Sequence, residues 1–286
     1  MSETGVIHDI GYQRYTGPRL GRGAAILALY GHGLRAAFGL GRSAKAKIFP
    51  WLVAGIALLI AVIIAAIKSQ IPDFDFGYVD IDNQLSWMII FFVAILAPAL
   101  VSRDIRSNTL PLYFSRPLRA ADYVIAKFLA MVTAVWLLLG VPQFIMFLGA
   151  AFTTDKGLSG VWHEIKDLVP GWGYSLLWAL LFTSIGLLVA SLTGKQAFAA
   201  GGIVAIFLMT TPVVAVLAQL PSSAANKMAG LASPNTLVQG FGTWALGGQT
   251  GIDVGRYGPI YGIEAVCLIA ASLLLLLARY RKVAAL

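Results

Sequence analysis

Two neighbouring stretches of this chain carry residue types that could perform covalent or metal chemistry. Gly157-Leu158-Ser159-Gly160 offers a serine nucleophile, which would need a histidine base within hydrogen-bonding reach. The only nearby histidine is His163, and the apolar segment near the C-terminus contains none. His163-Glu164 also opens like the zinc motif H-E-x-x-H, but position 167 is aspartate and no third ligand follows. We therefore expect no protease site, no metal site and no enzyme activity on this chain.

The sequence also lacks the motif of a nucleotide-binding loop. A phosphate-binding loop has the pattern G-x-x-x-x-G-K-[ST], in which backbone N–H groups and a lysine surround the phosphates. The nearest string, Val189–Gln196, lacks the first glycine and the final hydroxyl residue. This chain is therefore expected to hold no cofactor and not to hydrolyse ATP by itself.

The charged strip from Ser102 to Lys127 is the most distinctive segment of the chain. It reads SRDIRSNTLPLYFSRPLRAADYVIAK and lies between two long apolar runs. A strip this short cannot form a soluble domain, yet it is rich in arginine and contains two prolines. We predict that residues 102–122 form a structured turn that docks a cytoplasmic protein. The alternative is an interfacial loop whose arginines hold lipid phosphates.

A short helix is predicted inside this strip. Asn108 can accept a backbone N–H and so cap a helix that begins at Thr109, and Asp122 is placed to cap the next span. Leu110, Tyr113 and Phe114 would share one helical face, because they are spaced three and four residues apart, and that face would point outward to the docked protein. Four arginines fringe that face: Arg103, Arg106, Arg116 and Arg119.

Composition places the rest of the chain in a membrane. Of its 286 residues, 58% are hydrophobic and 12% are charged, whereas a soluble domain carries about 25% charged residues. Each bilayer crossing needs about 20 apolar residues. Six segments are candidates for such crossings: Phe49–Ile67, Leu85–Val101, Phe128–Phe152, Gly173–Leu192, Phe198–Leu220 and Ile263–Ala278. The predicted fold class is an all-α integral membrane protein with six transmembrane helices.

The distribution of charge predicts the orientation of these spans. Six crossings leave both termini on one side, and a cytoplasmic N-terminus puts most of the 21 basic residues inside, as the positive-inside rule requires. Most acids, including Asp80 and Asp82, then fall in outer loops. The net charge of +8 is explained by this bias and by anionic inner-leaflet lipids, so no nucleic-acid partner is expected. The predicted location is the inner membrane of a bacterium.

The chain divides into three parts on this basis. Residues 1–48 form a cytoplasmic lead, residues 49–280 the six-span domain, and residues 281–286 a cytoplasmic tail. Apolar residues between Ala24 and Gly41 recur at helical spacing, which predicts a helix in the membrane interface. The outer segment 221–260 contains an apolar run too short to cross the bilayer. That run either enters the membrane partway or belongs to an ordered external loop.

Few polar residues lie in the predicted spans, and they define a candidate path for cargo. Glu264 is the only ionisable residue that we place inside a span, where it would face water or pair with Arg256. The nearly charge-free spans suit a hydrophobic or amphipathic cargo better than a small ion. The candidate path residues are Trp136, Gln143, Phe144, Met146, Thr210, Thr211 and Glu264.

At this point the chain resembles the transmembrane subunit of an ABC-2 type exporter, the permease class of bacterial ABC transporters. In that family an acidic residue follows the second span. A Gly-Thr-Leu-like step, an apolar stretch, a Pro-x-Arg-like turn and a lysine entering the third span come next. The matching residues are Asp104, Asn108-Thr109-Leu110, Leu112-Tyr113-Phe114, Ser115-Arg116-Pro117-Leu118-Arg119 and Lys127, together with the later Ser233-Pro234-Asn235. Asn108 stands where the family usually has glycine, and Pro111 interrupts the apolar stretch.

The resemblance implies a type V-like exporter fold and a two-fold assembly. Two permeases, identical or paralogous, would work with two cytoplasmic ABC ATPase subunits that carry ATP and Mg²⁺. The strip between spans two and three would be the coupling helix, seated in a groove of the ATPase. The implied coupling residues are Arg103, Asp104, Arg106, Asn108, Thr109, Leu110, Tyr113, Phe114, Arg116 and Arg119.

Two other functions stay open on the sequence alone. The complex could transmit ATPase motion to an extracytoplasmic partner through residues 221–260 without moving cargo. A rhomboid-like intramembrane protease is the remote alternative, because six spans and the motif around Ser159 suit that class.

Overall fold

In the part of the chain that the structure describes, every regular element is a helix. The computed structural model describes residues 17, 20–71, 74–107, 109–110, 113, 118–154, 157–220, 222–249 and 253–284. Its α-helices are α1 (Arg22–Ala37), α2 (Ala44–Gln70), α3 (Tyr78–Ala97), α4 (Arg103–Arg106), α5 (Ala120–Thr153), α6 (Gly157–Ser191), α7 (Gln196–Leu217), α8 (Ser223–Met228), α9 (Pro234–Leu246) and α10 (Gly258–Ala284).

Within these described residues, six helical stretches are long and apolar enough to cross a membrane. They are Ala44–Gln70, Tyr78–Arg106, Ala120–Thr153, Gly157–Ser191, Gln196–Leu217 and Gly255–Val283. The predicted all-α membrane class with six spans is therefore confirmed. The second stretch joins α3 to α4 through a π-helical turn over Pro98–Ser102, and it begins at Pro98 because proline has no N–H for the regular helical bond.

The second span begins earlier than hydropathy predicted. Helix α3 starts at Tyr78 instead of Leu85, so Asp80 and Asp82 belong to the helix and not to an outer loop. Asp80 stabilises this start, because its carboxylate accepts the Gly77 N–H at 2.7 Å. A polar first turn thus precedes the apolar part of the helix, and a count of apolar residues cannot detect it.

The fourth span is also longer than predicted. Helix α6 begins at Gly157, so most of the gap between the predicted third and fourth spans, which end at Phe152 and begin at Gly173, is helix. Ser159 and His163 lie in the first turns of α6 and not in a loop between spans. The imidazole Nε2 of His163 is 3.7 Å from an Asp167 oxygen on the next turn. This pair is local to one helix end.

Three helices form the centre of the bundle and three surround it. In their most apolar windows, 61–72% of the residues of the stretches containing α3, α5 and α6 are buried, against 17–28% for those containing α2, α7 and α10. Trp178 and Phe182 of α6 are fully buried, and Phe182 stacks on Phe207 of α7 with ring centroids 4.2 Å apart. The outer helices expose large apolar side chains such as Met209 and Val266, as expected of surfaces that face lipid.

Helix α1 packs against α5. Its Gly33 permits a close approach, because a Cβ at that position would lie 2.9 Å from the Ala130 Cβ. The Tyr30 hydroxyl donates a hydrogen bond to Thr133 at 3.1 Å. The structure thus has a helix over most of the predicted Ala24–Gly41 region, beginning two residues earlier at Arg22, and its position in the membrane interface stays a prediction.

The segment predicted as outer contains a well-packed helix, α9. Gly240 and Gly242 face Tyr261 and Tyr174, with no room for a Cβ at either glycine. The Tyr261 hydroxyl also donates a hydrogen bond to the Lys227 carbonyl at 2.8 Å. The apolar run is therefore part of the folded body, and its depth in a bilayer stays a prediction.

Candidate functional site

A buried ion pair joins the end of the second span to the start of the third. Asp104 Oδ2 lies 2.9 Å from Lys127 Nζ and accepts a hydrogen bond from the Tyr123 hydroxyl at 2.7 Å. The side chain of Lys127 is only 5% exposed, and Lys127 also donates to the Leu100 carbonyl in the π turn at 2.9 Å. Paired charges with further hydrogen bonds are the form in which buried charge is tolerated. The charged strip therefore has a fixed base.

A second ion pair ties helix α1 to the start of α5. The guanidinium of Arg22 donates to both oxygens of Asp122, at 2.8 and 2.6 Å. The hydrogen bond to Asp122 raises the pKa of Arg22. Asp122 also accepts the Arg119 N–H at 2.9 Å, so the prediction that Asp122 caps the third span is confirmed.

The apolar side of the strip faces its own bundle. Leu110 is 4% exposed, and Tyr113 is half-buried with its ring centroid 5.6 Å from that of Tyr123. Burial, reinforced by the charge of Asp104, raises the pKa of Tyr113. We expected Leu110 and Tyr113 to lie on an outward-facing apolar surface. The structure corrects this for Leu110, since burial against the bundle removes more apolar area from water.

The remaining strip residues differ in what they contact. Thr109 is half-buried, and both its N–H and its hydroxyl donate to the Asp104 carbonyl at 3.2 Å. Arg103, Arg106 and Arg119 are exposed. Within the described part of the chain, none of these three arginines forms an ion pair. Three further predicted coupling residues lie outside the described residues: Asn108, Phe114 and Arg116.

The base of the strip is linked to other helices at the same end of the bundle. Ser102 Oγ donates to the Ala190 carbonyl of α6 at 2.6 Å. Arg279 Nε of α10 donates to the Ser191 carbonyl at 2.7 Å, and the rings of Tyr123 and Tyr280 are 5.1 Å apart. A displacement of the strip would therefore bear on α5, α6 and α10 together.

Gln143, predicted to line a cargo path, instead belongs to a buried polar cluster. Its Nε2 donates to Asp82 Oδ1 and contacts Ser175 Oγ, both at 2.9 Å. Ser175 Oγ donates to Asp82 Oδ2 at 2.6 Å. All three side chains are fully buried, and Gln143 Oε1 has no hydrogen-bond partner among the described residues. The cluster fastens α3, α5 and α6 to one another.

Sequence reasoning missed Asp82 and Ser175 because their partners are distant in the chain. The one available signal is the spacing of Asp82 and Ser86, which places both on the same face of α3 as the apolar residue Ile89. All three are buried in the structure. Asp82, and not only Glu264, is thus an ionisable residue within a spanning helix.

The other candidate path residues do not meet at one place. Phe144 is 39% exposed, whereas Met146 is 3% exposed. Trp136 donates its Nε1 hydrogen to the Trp172 carbonyl at 3.1 Å, and Glu264 is half-buried on α10. The two threonines of α7 bond mainly to nearby oxygens, Thr210 to Ile206 and Ser233 and Thr211 to Phe207.

Glu264 does not contact its predicted partner in the structure. Arg256 lies against Tyr257 instead, with its guanidinium carbon 5.3 Å from the ring centroid, and among the described residues it forms no ion pair.

An acidic cavity of about 660 Å³ opens at the opposite end of the bundle from the strip. Its carboxylates are Asp75, Asp80, Glu164 and Asp167, accompanied by Lys68. The loop after α9 closes one side, because the Gln249 N–H donates to Asp80 Oδ1 at 2.7 Å. The described residues that line this cavity include none of the seven candidate path residues.

Comparison with known proteins identifies one family. Residues 43–252, well over half of the chain, match the family described as ABC-2 family transporter protein. A comparison with curated protein sequences finds no match.

Proposed function

The chain belongs to the ABC-2 transporter family, and we propose that it is the permease subunit of an ATP-binding cassette exporter. It would move a hydrophobic or amphipathic cargo outward across the inner membrane of a bacterium. The energy would come from ATP and Mg²⁺ bound by a separate ATPase chain, since the sequence has no phosphate-binding loop. Two permeases and two ATPase subunits would form the complex, in agreement with the resemblance drawn from the charged strip.

The buried Asp104–Lys127 pair is the observation that most strongly supports coupling at the strip. A docking element must transmit force, and a segment anchored by an ion pair and a hydrogen bond at its base does so better than a solvated loop. The exposed Arg103, Arg106 and Arg119 would then attract acidic groups of the ATPase. Leu110 would support this docking surface from within the bundle, where its side chain is buried.

The proposed cargo path is revised by the burial of its candidate residues. Gln143 and Met146 are closed off within a single chain, so cargo would reach them only if α3, α5 and α6 separated. Phe144, Thr210, Thr211 and Glu264 keep partial exposure. A path that uses these would run along the outside of one permease and be completed by the second.

Mechanical transmission is the second candidate function. The loop after α9 is pinned to the outer start of α3, because Gln249 bonds to Asp80 and to the Asp75 carboxylate at 2.7 Å each. Movement of α3 would therefore reach the surface formed by residues 222–249. In proteoliposomes, ATPase stimulation by apolar compounds would favour export. Stimulation only by an extracytoplasmic protein would favour transmission.

Affinity purification in mild detergent from the native membrane tests the coupling proposal. We expect a chain with a phosphate-binding loop to co-purify. Arg106→Glu with Arg119→Glu should reduce its recovery by about tenfold or more, because like charges would then face each other. The control is Arg281→Glu with Lys282→Glu, which makes the same charge change at exposed residues of α10 outside the strip. Full recovery with the strip variant, or no such partner at all, would rule out docking at these arginines.

A further inference from the structure

Three adjoining cavities lie where helix α1, the start of α2 and the end of the second span meet. The first, about 520 Å³, is lined by Arg42, Arg103, Arg106 and Gln196 among others. The second, about 280 Å³, shares Arg42 and Arg103 with it. The third, about 180 Å³, shares Arg42 with both. Ala99 also lines all three, so the cavities adjoin one another, and together they are called the recess.

The positive charge around this recess is not neutralised by the described part of the protein. Arg42, Arg103 and Arg106 form no ion pair with any described residue. Asp104 and Lys127 also line the second cavity, but they are occupied with each other. Burial, followed by the charge of Arg103, lowers the pKa of Arg42. Each of these features favours an anion in the recess.

A helix start adds to this preference. Gln196, the first residue of α7, lines the largest of the three cavities. No side chain caps this 22-residue helix, so free N–H groups and the positive end of the helix dipole lie beside the arginines. Guanidinium groups and helix N-termini are both preferred partners of phosphate.

The apolar lining of the third cavity favours a lipid over a free anion as the ligand. Beyond Arg42 and Lys45 it is lined by apolar side chains, among them Phe49, Phe92 and Ile95. Ile95 is 50% exposed, on a helix that is long and apolar enough to span the membrane. An apolar groove that continues from a cluster of arginines matches a molecule with a phosphate head and a hydrocarbon tail.

We propose that Arg42, Arg103 and Arg106 bind the phosphate of an anionic phospholipid, whose acyl chain lies in the groove between α1, α2 and α3. This site shares Arg103 and Arg106 with the proposed docking surface for the ATPase, adds Arg42, and does not depend on the cargo. The bound lipid would fill the space between α1 and the base of the strip. Arg42 lies outside the strip, so its substitution separates lipid binding from ATPase docking.

Native mass spectrometry of the full chain, with phosphatidylglycerol and phosphatidylcholine as probes, tests the site. We expect the wild type to retain phosphatidylglycerol preferentially, and Arg42→Gln to weaken that retention by about tenfold. Arg42→Lys keeps the charge and should retain most of it. The matched control is Arg35→Gln, since Arg35 is an exposed arginine of α1 that does not line the recess. Equal retention of both lipids, or equal losses from Arg42→Gln and Arg35→Gln, would overturn the proposal.

A second variant tests the acyl chain without changing any charge. Ala99→Leu places a larger side chain where the three cavities meet, and it should displace phosphatidylglycerol while leaving the arginines intact. Thermal unfolding in a neutral detergent supplies an independent readout, with inorganic phosphate as the comparison probe. Stabilisation by phosphatidylglycerol well above that by phosphate supports the lipid site. Equal stabilisation by both, unaffected by Ala99→Leu, would show that no acyl chain is bound and would overturn it.

Discussion

One carboxylate oxygen of Asp104, Oδ2, forms the ion pair with the Lys127 ammonium and also accepts a hydrogen bond from the Tyr123 hydroxyl. The sequence resemblance singled out Asp104 and Lys127 as separate elements of one motif, on either side of the strip. In space they are one group, with Lys127 also bonded to a carbonyl of the π turn. In this chain their contact fixes where the strip begins and ends.

Removing one member of this pair should destabilise the protein more than removing both. Asp104→Asn leaves the Lys127 ammonium buried without a counter-charge, and breaking such a pair costs about 3 kcal/mol or more. Asp104→Asn with Lys127→Met removes both charges and should recover much of that loss. Apparent melting temperatures of the single and double variants, measured in detergent, complete the cycle. If the two single losses simply added in the double variant, the pair would not be coupled.

Residue burial also explains which site assignments the sequence could support. Arg103, Arg106 and Arg119 are exposed as expected, because three guanidinium groups in so short a strip remain hydrated. Leu110 was predicted to face outward, yet it packs into the bundle. Gln143 was predicted to line a cargo path, yet its side-chain amide donates hydrogen bonds to Asp82 and Ser175. Both outcomes depend on partners far along the chain, which helical spacing alone does not reveal.

At the scale of elements, helix α9 packs closely against its neighbours because its glycines leave space for aromatic rings. A Cβ on Gly240 would lie 2.5 Å from the Tyr261 ring and 3.0 Å from Val254. Gly242 meets Tyr174 in the same way, and Gly258 at the start of α10 is in direct contact with Trp244. Gly240, Gly242 and Gly258 are therefore close-packing positions.

Gly240→Ala should therefore loosen α9 from α10. The added methyl overlaps the Tyr261 ring, and overpacking of this kind costs about 1–3 kcal/mol. Gly173→Ala is the matched control, because Gly173 lies within α6 and a methyl group added there would have open space within 4 Å. It should be neutral or stabilising by up to about 1 kcal/mol, through helix propensity. Limited proteolysis at the loop after α9, compared between the two variants, provides the measurement; equal protection would contradict the packing argument.

At the scale of the whole molecule, the number of spans was predictable and their ends were not. A crossing requires a long apolar run whatever its neighbours are, so composition was sufficient to find six. The ends of α3 and α6 carry polar residues that are stabilised by tertiary contacts, such as Asp80 with Gln249 and Tyr78 with Glu164. Without knowledge of those contacts, the polar sequence of these helix ends is typical of a loop.

The predicted orientation puts the strip and the end of α10 in the cytoplasm and the start of α6 outside. Thiol labelling tests it directly in a Cys267→Ser background, since Cys267 is the only cysteine. Ser107→Cys and Arg281→Cys report one end of the bundle and Lys166→Cys the other, and all three positions are exposed. In intact spheroplasts a membrane-impermeant maleimide should label only Lys166→Cys, because positively charged segments stay inside. After permeabilisation all three should react. Labelling of Ser107→Cys in intact spheroplasts would invert the orientation, and the strip could then no longer meet a cytoplasmic ATPase.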